Sequence, residues 1–181
     1  MAYKLIRALE IIIAAAKMIA FRIAYGGAVQ GPISAFGRGL SIKIRAGGKV
    51  CHGQINCRRN LSIFCDGGLL SIGDGVFFNN DCSLNCMGLI QIDDGTIFGE
   101  GVKIYDHDHS FSASGLPMKD SFNVEKVQIG KNCWIGSNVV ILKGVSICDG
   151  VTIGAGSVVT KSISEAGIYV AREQARLIRV T

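Results

Sequence analysis

The chain has 181 residues, enough for one well-buried domain. Hydrophobic residues make up 49% of it and the mean hydropathy is +0.37, high for a soluble monomer, so some apolar surface should be covered by partners or membrane. No apolar run reaches the ~18 residues of a conventional transmembrane helix. The net charge of +5 reads as moderate and not blocky; it suits an anionic small ligand or a membrane surface, and no RNA or DNA motif accompanies it.

Residues 3–24 read as an amphipathic helix, and 1–25 as an N-terminal segment distinct from the rest of the chain. Arg7, Glu10 and Lys17, flanked by Lys4 and Arg22, share one arc of the wheel. Leu5, Leu9, Ile12, Ile13, Ile19 and Ile23 fill the wide remainder. Two placements are open: packing on the rest of the molecule or a neighbouring subunit, and an interfacial position on anionic lipid. A secretory leader fits less well, because Glu10 and Lys17 leave only Ile11 to Ala16 as an uncharged apolar run.

After Gly26-Gly27 come short β-branched pieces such as Ser41-Ile42-Lys43-Ile44 and Leu70-Ser71-Ile72. From Ile72 an apolar residue returns at every sixth position: Ile72, Phe78, Leu84, then, after a two-residue slip around Cys86-Met87-Gly88, Ile92, Phe98 and Ile104. A second run is more regular, with Ile129, Ile135, Ile141, Ile147, Ile153 and Val159. Small or β-branched companions stand four residues on (Cys133, Val139, Val145, Val151, Ser157), with Ile163 the bulkiest. Six steps at 180° return a side chain to one face, whereas six steps at 100° would smear the stripe around a helix. The pattern therefore predicts a stack of short strands, a solenoid over 26–165 in which each coil buries its apolar positions against its neighbours. Coils of about 18 residues give roughly six to seven turns before a short basic tail, 166–181.

Seven cysteines lack any CxxC spacing. Cys82 and Cys133 occupy the small inward hexad position, and Cys51 and Cys57 are themselves six apart, so they read as small apolar core residues in a reducing cytoplasm.

One long interruption, about 106–126, carries Ser112, Ser114, Gly115, Pro117 and Asp120, the composition of a protruding loop. Loops this long in a compact repeat protein are usually functional. It opens with Tyr105-Asp106-His107-Asp108-His109-Ser110-Phe111. A histidine there can serve as a neutral base, with a flanking aspartate setting its tautomer. The same residues also make turns by Asx hydrogen bonding, so both readings stand.

The hexads, the Ile104-Tyr105-x-x-x-His109 segment before a protruding loop, and the blocks 129–141 and 153–161 resemble the left-handed parallel β-helix acyltransferases. They are most similar to maltose and galactoside O-acetyltransferases and to those of capsule, exopolysaccharide and O-antigen assembly. The resemblance covers about residues 60–165 and implies left-handed coils, a homotrimer and active sites between subunits. It implies acetyl-CoA as acyl donor, no metal, and an acceptor that is a sugar, oligosaccharide or lipid-linked glycan. His109 becomes the general base with His107 secondary, and the backbone N–H of Ser137 an oxyanion donor. The CoA groove falls on Trp134, Ser137, Ala155, Thr160 and Lys161, with Arg176 and Arg179 of the tail near phosphates. Asn79 and Asn85 face the acceptor, and Asp106 or Asp108 lies beside it or orients a histidine. The implied setting is the cytoplasm, peripheral at the inner membrane if the helix lies on lipid.

The same groove would serve N-acetylation of an amino sugar. A γ-type carbonic anhydrase on this fold needs three zinc-ligating histidines between subunits, which fits poorly: His107 and His109 are two apart and His52 stands several coils away. A non-catalytic scaffold is the remaining alternative.

Overall fold

The structure is a computed structural model that describes residues 2–32 and 34–171. It is all-β apart from one helix, α1 (Ala2–Ala24), and consists of a left-handed parallel β-helix with an antiparallel hairpin standing out from it. Each coil contributes one short strand to each of three parallel sheets. The fourth coil shows the plan: Leu89–Ile92 on the first face, Ile97–Phe98 on the second, Lys103–Tyr105 on the third. The fifth repeats it as Val127–Ile129, Trp134–Ile135 and Val140–Ile141.

The hexad positions stack in register inside the prism. On the first face Ile72 pairs with Ile92, Ile92 with Ile129 and Ile129 with Ile147. On the second, Phe78 meets Phe98, Ile135 follows and Ile153 lies above. Leu84, Ile104, Ile141 and Val159 form the third column. All these residues are buried, and the Phe78 and Phe98 rings stack with centroids 4.7 Å apart. Cys57, Cys65, Cys82, Cys86 and Cys133 point into the same lumen, and burial pushes the thiols of Cys57 and Cys82 up to about 11.

The coils are not uniform. From Gln128 to its partner Ser146 the rise of one coil takes eighteen residues, as expected. Lower down it takes twenty from Leu70 to Ile90 and twenty-one from Val29 to Val50. The additional residues sit where the third face turns into the first, at Ala46-Gly47-Gly48, Asp66-Gly67-Gly68 and Cys86-Met87-Gly88. Gly47 and Gly67 take φ of +76° and +78° there, which widens the corner without disturbing the columns.

The helix caps the first coil, but not with its apolar arc. Met18 is buried, Phe21 and Tyr25 pack against the core, and the Tyr25 hydroxyl donates to the Ile42 carbonyl at 3.0 Å. Leu9, Ile12, Ile13, Ile19 and Ile23 face away from the solenoid, so packing on the chain's own β-helix is not where the arc goes.

The charge distribution also corrects the first impression. Residues 1–60 hold ten Lys and Arg against the single acid Glu10, whereas residues 61–181 hold nine against thirteen Asp and Glu. Of the latter, the described residues 61–171 hold six against twelve, so among the described residues charge is polar along the axis.

Candidate active site

The hairpin leaves the third face of the fourth coil at its corner with the first face. Its strands are His107–Phe111 and Pro117–Val124, with His107 opposite Val124, Asp108 opposite Asn123 and His109 opposite Phe122. Asp106, the last residue before it, is fully buried, and its carboxylate accepts from the backbone N–H of Met87 (2.9 Å) and of Gly88 (2.7 Å). The widened corner thus supplies the donors that hold this acid in place. The Asp106 carbonyl in turn accepts from the Glu125 N–H at 2.8 Å, so the chain departs and returns at adjoining points.

His107 Nδ1 lies 2.8 Å from Asp106 Oδ1, and with an ionised carboxylate as partner Nδ1 carries the proton, leaving the Nε2 lone pair free to accept one. His109 Nδ1 lies 3.0 Å from the Met118 carbonyl. A carbonyl can only accept, so this ring too holds its proton on Nδ1 and offers Nε2 as a base. Phe122 lies between the two imidazoles, edge-on to His107 at 5.6 Å and tilted against His109 at 4.6 Å between centroids. His107 sits at the hairpin base with 14% of its side chain exposed, while His109 is exposed.

Asp108 does not orient a histidine. It accepts from the Asn123 amide at 3.2 Å and faces Lys143 Nζ at 3.6 Å. Lys143 also pairs with Glu125 at 2.6 Å, and both acids raise its pKa, Glu125 the more strongly. Lys143 and Glu125 thus clamp the hairpin to the fifth coil. Neither stands out in the sequence, since a lone Lys and a lone Glu eighteen positions apart carry no local signal. Asp106, expected from the sequence to bind the acceptor, is too deeply buried to meet one, and its carboxylate is engaged by the corner and His107.

The remaining candidates divide between two edges of the third face. Asn85 pairs in register with Tyr105 next to the hairpin, and its amide donates to Ser83 Oγ at 3.0 Å. Thr160 and Lys161 are exposed on the same edge two coils above the hairpin. Asn79, Ser137 and Ala155 lie on the opposite edge. There the Asn79 side-chain oxygen accepts the Asn80 N–H at 2.9 Å, which is turn chemistry. Ser137 is stacked beneath Ala155 and Gly156, with Gly156 N–H donating to its carbonyl at 2.8 Å. Trp134 is 55% exposed on the second face. Crossing the third face takes about five residues, roughly 16 Å of strand. The backbones that carry His109 and Ser137 therefore leave opposite edges of one chain. Arg176 and Arg179 lie outside the described residues, and among the described residues no three His, Cys, Asp or Glu side chains converge as a metal site.

Residues 126–161 match the family described as bacterial transferase hexapeptide (six repeats). Those residues are hexapeptide repeats of that kind. A galactoside O-acetyltransferase of Lactococcus lactis is 34% identical over 93 residues, 51% of this chain and 44% of that protein. The solved structure of a maltose O-acetyltransferase from Clostridium difficile 630 aligns with a TM-score of 0.50 and 32% identity, covering 75% of this chain and 65% of that one. An N-acyltransferase from Bacillus cereus, solved with dTDP and coenzyme A, shares the fold with a TM-score of 0.67, 22% identity and 83% coverage of each chain. The chain spans only 35% to 54% of the length of the first curated relatives it matches. The resemblance to hexapeptide acyltransferases drawn from the motifs is thus found again in the comparison of sequences and folds.

Proposed function

We propose that the protein is an acetyl-CoA-dependent O-acetyltransferase acting on a sugar hydroxyl in the assembly of a bacterial surface polysaccharide, on the cytoplasmic side, and that it works as a homotrimer. The observation that carries this reading is the exposed His109 ring, whose Nδ1–H is fixed on the Met118 carbonyl so that Nε2 is presented to solvent as a base. Nε2 takes the proton from the acceptor hydroxyl as its oxygen bonds to the thioester carbonyl carbon. The resulting oxyanion is held by backbone N–H, that of Ser137 included. Collapse breaks the C–S bond, and the proton passes from the imidazolium to the departing thiolate. Because His109 and Ser137 stand at opposite edges of one third face, a second copy completes the site.

The Asp106–His107 pair supports a second assignment, in which His107 is the base. Its carboxylate partner would stabilise the imidazolium better than a neutral carbonyl can. The test is to incubate the protein with acetyl-CoA and a panel of glycans, measuring CoA release and product mass, for wild type, His109→Ala and His107→Ala. Transfer that survives His107→Ala and vanishes with His109→Ala supports the first assignment, and the reverse pattern the second. No transfer by wild type to any sugar acceptor would remove the proposal.

A further inference from the structure

Helix α1 carries its apolar arc on the outside. Ile6, Leu9, Ile12, Ile13, Ile19 and Ile23 are 47% to 77% exposed, whereas Met18 on the opposite side is buried. A helix that only closed the end of the solenoid would turn its apolar face inward. A contiguous apolar ridge of this kind marks an interaction surface. The first two coils expose Arg38, Lys43, Arg45, Lys49, Arg58 and Arg59, and through the end of the second coil the acids are Glu10 and Asp66 alone.

We infer that this end of the solenoid docks on an anionic lipid surface, with the outer arc of α1 entering the headgroup boundary and the cations of the first two coils meeting lipid phosphates. Two features favour lipid over a second copy of the chain. Joining two copies arc to arc would bring together two ends that each expose these six cations, with repulsion across the contact. An anionic bilayer offers an apolar layer and negative charge one above the other, about 5–10 Å apart, which is the arrangement an interfacial helix with flanking cations requires. Among the described residues no helix is long and apolar enough to cross a membrane, so this is attachment at the surface.

The geometry also bears on the acceptor, and this step rests on the acyltransferase reading. The hairpin leaves the fourth coil, three inter-strand steps or roughly 15 Å above the first. With the helix end on the bilayer, the base stands clear of the headgroups and meets sugars distal to a lipid anchor sooner than the first sugar attached to it.

The test uses the full chain and needs no acetyl-CoA. Co-sedimentation is measured with vesicles of phosphatidylcholine alone and of phosphatidylcholine with phosphatidylglycerol, over a salt series. Binding should need the anionic lipid and weaken as salt is added. Arg38→Glu with Arg59→Glu should weaken partition at least about ten-fold, and Ile12→Ser with Ile19→Ser should abolish it, while both variants keep their circular dichroism spectrum. Equal binding to both vesicle types, no binding at low salt, or partition untouched by the charge reversals would overturn the inference. A change of assembly size in the Ile12 and Ile19 variant with vesicle binding intact would assign the arc to a contact between copies. Acetyl transfer to a soluble glycan should persist in the charge-reversed protein, so failure of docking and failure of the activity are read separately.

Discussion

Each of the two histidines is set by one partner, and the partners differ in kind. His109 has a neutral carbonyl; His107 has a buried carboxylate that also accepts from two backbone N–H groups. Removing the base should lower the rate about 10²- to 10⁴-fold with little change in melting temperature, so His109→Ala should be inactive and folded. Asp106→Asn should behave the other way, losing about 1.5–3 kcal/mol of stability as charge-assisted bonds to the corner weaken, which denaturant unfolding would measure. Which aspartate orients which histidine was not legible in the DHDH segment, because the choice rests on the corner at Met87-Gly88, some nineteen positions earlier. His52, inside the second coil, has its pKa lowered by burial, with the Arg22 charge adding and the Gly53 carbonyl opposing. A lowered folded-state pKa means the unfolded chain takes up the proton first, so stability is complete above about pH 6.5 and declines as pH falls below it. Melting temperatures recorded from about pH 7 down to pH 5 should fall less steeply for His52→Gln than for wild type.

At the scale of elements, the three inward columns were readable because six residues make one side of the three-sided coil. Ile129, Ile135 and Ile141 land on successive faces and meet the residues expected above and below. The lower coils were harder to read. Their Gly-containing corners add two or three residues to each turn, and the period drifts even though the columns stay aligned. The corners themselves are tight. A Cβ on Gly136 would stand 2.6 Å from the Ala155 backbone nitrogen and 2.7 Å from the Ile153 carbonyl oxygen. Neither atom can move without parting the strands, so Gly136→Ala should cost about 1–3 kcal/mol in thermal or chemical unfolding. Lys143, by contrast, works between two exposed acids. Lys143→Ala should change stability by about 1 kcal/mol or less while making the hairpin cleavable by protease sooner than the coils.

At the scale of the molecule, the proposed site divides its groups between two edges and so calls for a second copy. Ala155→Trp fills one edge and His109→Ala removes the base from the other, so each variant alone should be inactive. Randomly mixed trimers should recover about a quarter of wild-type activity, because that fraction of interfaces joins two intact edges. Mixtures that stay silent would place the whole site within one chain. The axial charge asymmetry was present in the sequence as ten cations against one acid in residues 1–60, but a net value of +5 concealed it. It becomes visible when the chain is divided after the second coil, where ten cations stand against Glu10 and Asp66.

The adjoining exit and return of the hairpin has a consequence for how such a protein can change. Ile90 pairs with Val127 and Ile92 with Ile129 as directly as if nothing stood between the fourth and fifth coils, and Asp106 meets Glu125 at a single hydrogen bond. The stack therefore carries no record of the segment's length. Replacing 107–124 with a short glycine turn should leave the solenoid folded and without transferase activity, and grafting a different segment there should alter chemistry or acceptor choice with the scaffold unchanged. On the proposed reading the fold separates durability from specificity, with the first in the columns and the second in a detachable insert.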